Sequence, residues 1–422
     1  MTSLVARDGH VVWHPYTQTG FGIEPLPVIS ARGSTLTLDD GREILDGISS
    51  WWCCLHGHAH PALVRAATEQ FEKLDHVIFA GVTHEPAVRL AERLCAIVPH
   101  GFERVFYSDN GSTAIEVAIK MAVQRARHRG ERRIRFLALE GAYHGDTFGA
   151  MAVGARSIFS APFDEMLFSV EFLSLEGTER DMERVESACR DGEVAAFIFE
   201  PLVQGAGGMR MYDAGVVDRY GEVVRRYGGL CIADEVMTGF GRTGELFASG
   251  ALRIAPDIIC LSKGITSGTL PLAVTMCRNE LFDEFISDDH SRTFFHGHTY
   301  TANPIACAVA LASLELTTGV ECRAARERIA ASHRSFVDEL IGLKGVSSPR
   351  AQGTIVACDL LTEEPAGYQN RAAQRARDFF IERGVLLRPL GNVLYLMPPY
   401  CFSERDLRQS YDSMIEFVSA VR

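Results

Sequence analysis

The sequence predicts an α/β protein: a large domain built on a largely parallel, doubly wound sheet, with a smaller α+β domain after it. Three observations lead there. Between residues 104 and 277, short apolar runs alternate with helical patterns, and each run exits onto polar or glycine-rich residues. That is the sequence form of stacked βαβ units with ligands gathered at the strand ends. Near residue 317 the texture changes from an alanine-rich helix to a charged amphipathic one, which marks a second domain. The 422 residues are 47% hydrophobic and 23% charged, with a net charge of −12. This is an ordinary globular composition, and its negative balance argues against a nucleic-acid partner.

Residues 1–48 read as an irregular arm and a β-meander packing with the smaller domain. Strands are expected at 26–31, 35–38 and 43–46, with turns at Arg32-Gly33 and Asp40-Gly41. The arm carries Trp13-His14-Pro15-Tyr16-Thr17, a packing anchor or a pocket wall. The large domain, 49–316, opens on Trp51 and Trp52, then His56, His58 and His60. That histidine spacing prompts a metal reading, but no acidic or cysteine cluster accompanies it and His60-Pro61 starts a helix, so no metal is expected. Helices follow at 61–74 and 85–98.

A strand at 104–108 then meets Asp109-Asn110-Gly111-Ser112-Thr113, either a phosphate cradle at a helix start or a plain N-cap. Ser112 and Glu116 are one residue too far apart for a capping box. A strand at 134–139 delivers the loop from Glu140 to Thr147, which brackets Tyr143, His144 and Asp146 with glycines. Residues 160–190 read as a loop and a helix, and 194–200 as a strand. The Gln204–Gly208 stretch fails the dinucleotide fingerprint and reads as a close-approach loop. After a helix at 213–227, the strand 230–233 delivers Asp234-Glu235, two acids that are costly there without a cation opposite. A glycine-rich loop, 239–244, leads to the apolar run 258–262 that ends on Lys263. The strand 271–277, a polar-aromatic loop at 294–300 and a helix from Asn303-Pro304 close the large domain. The smaller domain, 317–422, should hold helices at 323–340, 369–383 and 403–421, with strands within 346–360 and 385–397.

Only four of the 42 basic residues are lysine: Lys73, Lys120, Lys263 and Lys344. Arginine stays protonated at any working pH, whereas a desolvated lysine becomes a nucleophilic amine. An amine at one strand end, an acid at another, a Gly-Ser helix start and a loop aromatic suit one ligand, pyridoxal phosphate. The eleven cysteines form no CxxC pair, and the N-terminal stretch has no apolar segment of the secretory kind. A reducing, cytoplasmic compartment is therefore expected. The apolar stretch 305–316 is too short to span a bilayer, so no membrane partner is expected.

The ordered set DNGSTAIEVAIKMA, GAYHGDTFGAM, FEPLVQGAGGM, ADEVMTGFGRTG and CLSKGI resembles the class III (ω-type) aminotransferases of fold type I. HPYTQ, SSWW, VQGAGGMRMY and LRPLGNVLYLMPPY resemble the branch of that family that serves biotin biosynthesis. The likeness covers essentially the whole chain. It implies a mostly parallel seven-stranded sheet, pyridoxal 5'-phosphate as cofactor, small-molecule substrates, and a homodimer with active sites at the subunit interface.

Carried over by residue, the resemblance makes Lys263 the covalent anchor and proton shuttle and pairs Asp234 with the ring nitrogen. It gives the phosphate to Gly111 and Ser112, with Thr299 arriving from the second subunit, counts His298 among the cofactor's contacts, and stacks Tyr143, supported by Asp146, on the ring. Tyr16, Trp51, Trp52 and Gly297 would line the substrate channel, Arg388 would hold a carboxylate, and Arg242 would also face substrate. Met237 stands where many class III members have glutamine. His296–Tyr300 and Ser267–Thr275 depart from the branch's usual sequences, which leaves adenosylmethionine and lysine both open as amino donor.

Overall fold

The computed structural model describes residues 3–21 and 23–420. Its centre is a seven-stranded sheet. The spatial order is Arg104–Ser108, Ala273–Cys277, Ile258–Leu261, Leu230–Asp234, Val194–Phe199, Arg135–Leu139 and Val170–Leu173. Ala273–Cys277 runs antiparallel to both neighbours, and the other measured pairings are parallel.

The central strands are buried at every position, and almost wholly apolar, because both faces are covered. Ile198, Ile232 and Ile258 point into a core with Ile115, Ala118 and Ala122 of the helix Gly111–His128. Their neighbours Phe199, Ala233 and Ile259 point into the opposite core with Val217 and Tyr220 of the helix Ala214–Arg226. The parallel strands therefore all end at one edge, where Asp234 and Lys263 emerge.

Two smaller sheets flank this layer. Val346–Gln352, Ile355–Leu360 and Val393–Leu396 form an antiparallel sheet under the helix Val320–Leu340. Val28–Arg32, Thr35–Leu38 and Glu43–Asp46 form the expected meander, and Val385–Leu386 joins it in parallel. The N-terminal meander and the C-terminal region thus share one sheet.

The structure departs from the sequence expectations at definite places. Within the arm expected to be irregular, Leu4–Val11 is a helix capped by Ser3, whose Oγ accepts from Ala6 N–H at 3.2 Å. None of its residues is buried, so there was no apolar stripe to detect. Val170–Leu173, in the segment expected as loop and helix, is an edge strand with only one fully buried residue. Residues 385–397 hold two short strands in different sheets, and the link between them carries Arg388. Residues 346–360 form a hairpin turned at Gly353. Its φ is +57°, and a Cβ there would lie 2.3 Å from Gly244 N, so only glycine fits.

Candidate active site

Two cavities meet at the strand-end edge. The inner one, of about 650 Å³, is lined by Trp52, Gly111, Ser112, Tyr143, His144, Asp234 and Lys263, among others. The outer one, of about 950 Å³, shares Tyr143, Gly145, Asp146 and Ala206 with it. Lys263 follows its strand through Ser262 and sits at φ 39°, a left-handed backbone that non-glycine residues seldom adopt. Such strain persists where the surroundings over-determine it. Its Nζ lies 4.9 Å from the centre of the Trp52 ring. Burial pushes its ammonium below the ordinary lysine value, against the opposing pull of Asp234 and Glu200.

Asp234 is buried, and its carboxylate is fixed at both oxygens. Oδ1 accepts from Val236 N–H at 3.0 Å, and Oδ2 lies 2.7 Å from Nδ1 of buried His144. Glu200, buried at the end of the next strand, accepts from Tyr143 N–H at 3.1 Å and Gly205 N–H at 2.8 Å. It thereby ties the Tyr143 loop to the glycine loop. Burial raises its carboxyl to about 7. Neither His144 nor Glu200 was singled out from the sequence as a site residue. The signal for Glu200 was present, an acid at the end of an apolar strand, and it matched the one that pointed to Asp234. Glu235, the second acid of that pair, meets no cation among the described residues; it accepts from Ala248 N–H, Ser249 N–H and the Thr238 hydroxyl.

At the helix start, Asn110 and Thr113 form the capping box, which uses the Thr113 N–H and leaves Gly111 and Ser112 on the cavity wall. Glu116 turns away to accept from Gly149 and Ala150 N–H, at the start of Phe148–Val153. Ser112 Oγ accepts from Asp146 N–H at 3.2 Å, so the phosphate-cradle turn and the Tyr143 loop are joined.

Tyr16, Trp51 and Arg388 form a cluster beside these cavities. The Tyr16 hydroxyl meets that of Tyr143 at 3.2 Å and donates to Asp146. Burial raises its phenol to about 12. Arg388 lies 4.8 Å over the Trp51 ring and donates to the Tyr16 carbonyl at 3.3 Å. Phe159 and Tyr368, 4.6 Å apart between ring centres, continue the aromatic wall into the outer cavity; no local pattern foretells their meeting.

Four candidates stand elsewhere. Arg242 is 1% exposed and donates to the carbonyls of Pro398, at 2.8 Å, and Trp52, at 3.3 Å. Its guanidinium props the tryptophan turn from behind. Gly297, His298 and Thr299 lie on a loop that lines neither cavity. The three early histidines have separate partners: His56 pairs with Thr317, His58 with Asp46, and His60 caps a helix.

This fold and this strand-end chemistry place the chain in a known class: it belongs to the class-III aminotransferases, whose family model matches residues 20–418. Within that class it is similar to the adenosylmethionine-8-amino-7-oxononanoate aminotransferase of Synechococcus elongatus, 49% identical over 97% of this chain and 99% of the relative. The relative of that name in Geobacter sulfurreducens is 38% identical over 98% and 97%. The crystal structure of the Methanocaldococcus jannaschii protein of the same name superposes with a TM-score of 0.93 at 33% identity, covering 98% of each chain. A PLP-bound amine transaminase from an uncultivated Pseudomonas species superposes at 0.91 and 30% identity, covering 98% and 99%.

Proposed function

We propose that this protein uses pyridoxal phosphate to move an amino group from adenosylmethionine to the 7-keto group of 8-amino-7-oxononanoate, giving 7,8-diaminononanoate for biotin synthesis. The observation that carries the reading is the convergence of Lys263, the Asp234–His144 pair and the Gly111–Ser112 turn on one cavity. Near-full-length likeness to relatives named for this reaction supports the substrate.

The residues fit the cofactor. The helix start offers Gly111 and Ser112 to a phosphate. The buried Asp234 carboxylate, held by Val236 and His144, suits a protonated ring nitrogen. When bound, the cofactor supplies an electrophilic carbon and a ring that absorbs an electron pair. Lys263 Nζ, desolvated and beside Trp52, would be the base that takes the proton from the carbon bearing the donor amine and returns it to the carbon on the other side of that nitrogen. Asp234 holds the charge that makes that proton labile. Tyr143, fixed by Glu200 through its N–H, walls the passage between the cavities and limits water. Arg388, supported on Trp51, presents a planar guanidinium to the substrate carboxylate.

Gly297 and Thr299 are exposed on a loop outside both cavities, which supports a homodimer in which that loop completes the neighbouring subunit's cavity. Eleven free thiols support a reducing cytoplasm. The test is direct: purified enzyme is given 8-amino-7-oxononanoate with adenosylmethionine or with lysine. Diaminononanoate should form with adenosylmethionine. Formation with lysine alone overturns the donor, and formation with neither overturns the acceptor.

A further inference from the structure

Cys53 and Cys54 follow the tryptophan pair and are the only adjacent cysteines in the chain. Their sulfurs converge. A methyl group built on Gly268 would lie 2.7 Å from Cys54 Sγ and 3.1 Å from Cys53 Sγ, so the two atoms flank one point above that glycine. Gly268 has φ +76°, and any side chain there would collide with both sulfurs, so glycine at this position is what lets the two thiols lie side by side against the turn. Cys53 is half-buried and lines the inner cavity together with Lys263 and Gly268, while Cys54 is buried behind it. The neighbouring Cys54 thiol, with the charges of Lys263 and Arg242, holds the Cys53 thiol below its ordinary range, which favours the reactive thiolate. The transamination uses neither sulfur.

We propose that Cys53 and Cys54 form a dithiol site in the wall of the inner cavity that captures a trivalent arsenical, and that capture closes the cavity beside Lys263. An arsenoxide reacts with two thiols without any change of oxidation state. Two S–H bonds break, two As–S bonds form, and the oxide oxygen leaves with both protons as water. A single thiol holds arsenic weakly, whereas two sulfurs around one point chelate it.

The experiment treats the holoenzyme with one equivalent of phenylarsine oxide and follows intact mass, free-thiol count and turnover. One adduct should form with the loss of two thiols, and peptide mapping should place it on the segment holding Cys53 and Cys54. Turnover should fall at least tenfold and return with 2,3-dimercaptopropanol but not with excess 2-mercaptoethanol. Cys53→Ser and Cys54→Ser should each abolish the stable adduct. An adduct mapped elsewhere, or retained in either variant, overturns the site; a mapped adduct with full turnover overturns the closure. Mass and thiol count do not depend on the reaction proposed above, so its failure is told apart from failure of the dithiol.

Discussion

On the proposed reaction Lys263 would serve as a base by giving up its proton, and burial, which lowers the ammonium below the ordinary lysine value, favours that. Lys263→Arg keeps a cation of similar reach that never deprotonates. Turnover should fall by ~10³-fold or more, and the purified protein should lose the visible absorbance of lysine-linked cofactor. A variant that kept either would show that another group moves the proton. Lys263 and Asp234 were legible because each ends a local apolar run with a residue out of character. His144 was not legible as a partner of Asp234, since the two are 90 residues apart and nothing local states which strand end faces which loop. Arg242 was brought forward only by its place in the family-like GFGRTG motif; in the structure its buried guanidinium donates to two backbone carbonyls, those of Pro398 and Trp52, a contact that no local pattern records.

Among the elements, the turn into the helix Gly111–His128 depends on the neighbouring loop. Gly145 has φ +133°, and a Cβ there would lie 2.1 Å from Ser112 Oγ. Gly145→Ala must therefore displace Ser112 or the Tyr143 loop, at a backbone cost of about 1–3 kcal/mol. Cofactor affinity should drop about tenfold or more, read by titrating the apoprotein with pyridoxal phosphate. Unchanged affinity would argue that this turn does not hold the phosphate. In the small domain, His333 of the helix Val320–Leu340 is fully buried, with Nδ1 2.7 Å from the Tyr411 hydroxyl. Burial depresses it to about 3, and His56 similarly to about 4. Both bind protons more readily when unfolded, at an ordinary value of 6.5. Their stabilisation is thus complete above pH 6.5 and is lost as pH falls towards 3. His333→Phe should flatten the fall of Tm over that window while costing about 1 kcal/mol at neutral pH from the lost hydrogen bond. An equally steep acid limb would assign the loss to other groups. The helix itself was legible from its amphipathic pattern; the depth of one histidine within it was set by tertiary packing.

At the scale of the whole molecule, the rim proposed to meet substrate is assembled from three distant stretches. Tyr16 comes from the N-terminal arm, Trp51 from the opening of the large domain and Arg388 from the link between two small sheets. The tryptophan turn is held from the C-terminal side as well. Ser49 Oγ donates to the Met397 carbonyl at 2.8 Å, and Trp52 Nε1 donates to the Tyr395 hydroxyl at 3.0 Å. Ser49, Ser50 and Trp52 all have positive φ, so this turn keeps its shape only while those contacts hold it. The layers and most strand boundaries could be read from apolar runs, but the rim could not, because no local pattern records which loops meet across the sheet edge.

If one rim serves both half-reactions, its arginine meets two carboxylates in turn, that of the amino-acid donor and that of the keto acceptor. Arg388→Lys keeps the charge but gives up the planar fork and its seat on Trp51. Measured separately, each half-reaction should show KM raised by roughly 10–100-fold, the loss of a few kcal/mol of charge-assisted hydrogen bonding. The rate at saturation should change far less, because the guanidinium grips a part of the substrate remote from the reacting carbon. A rise confined to the acceptor would mean that the donor carboxylate is held elsewhere and that the outer cavity contains a second, separate grip.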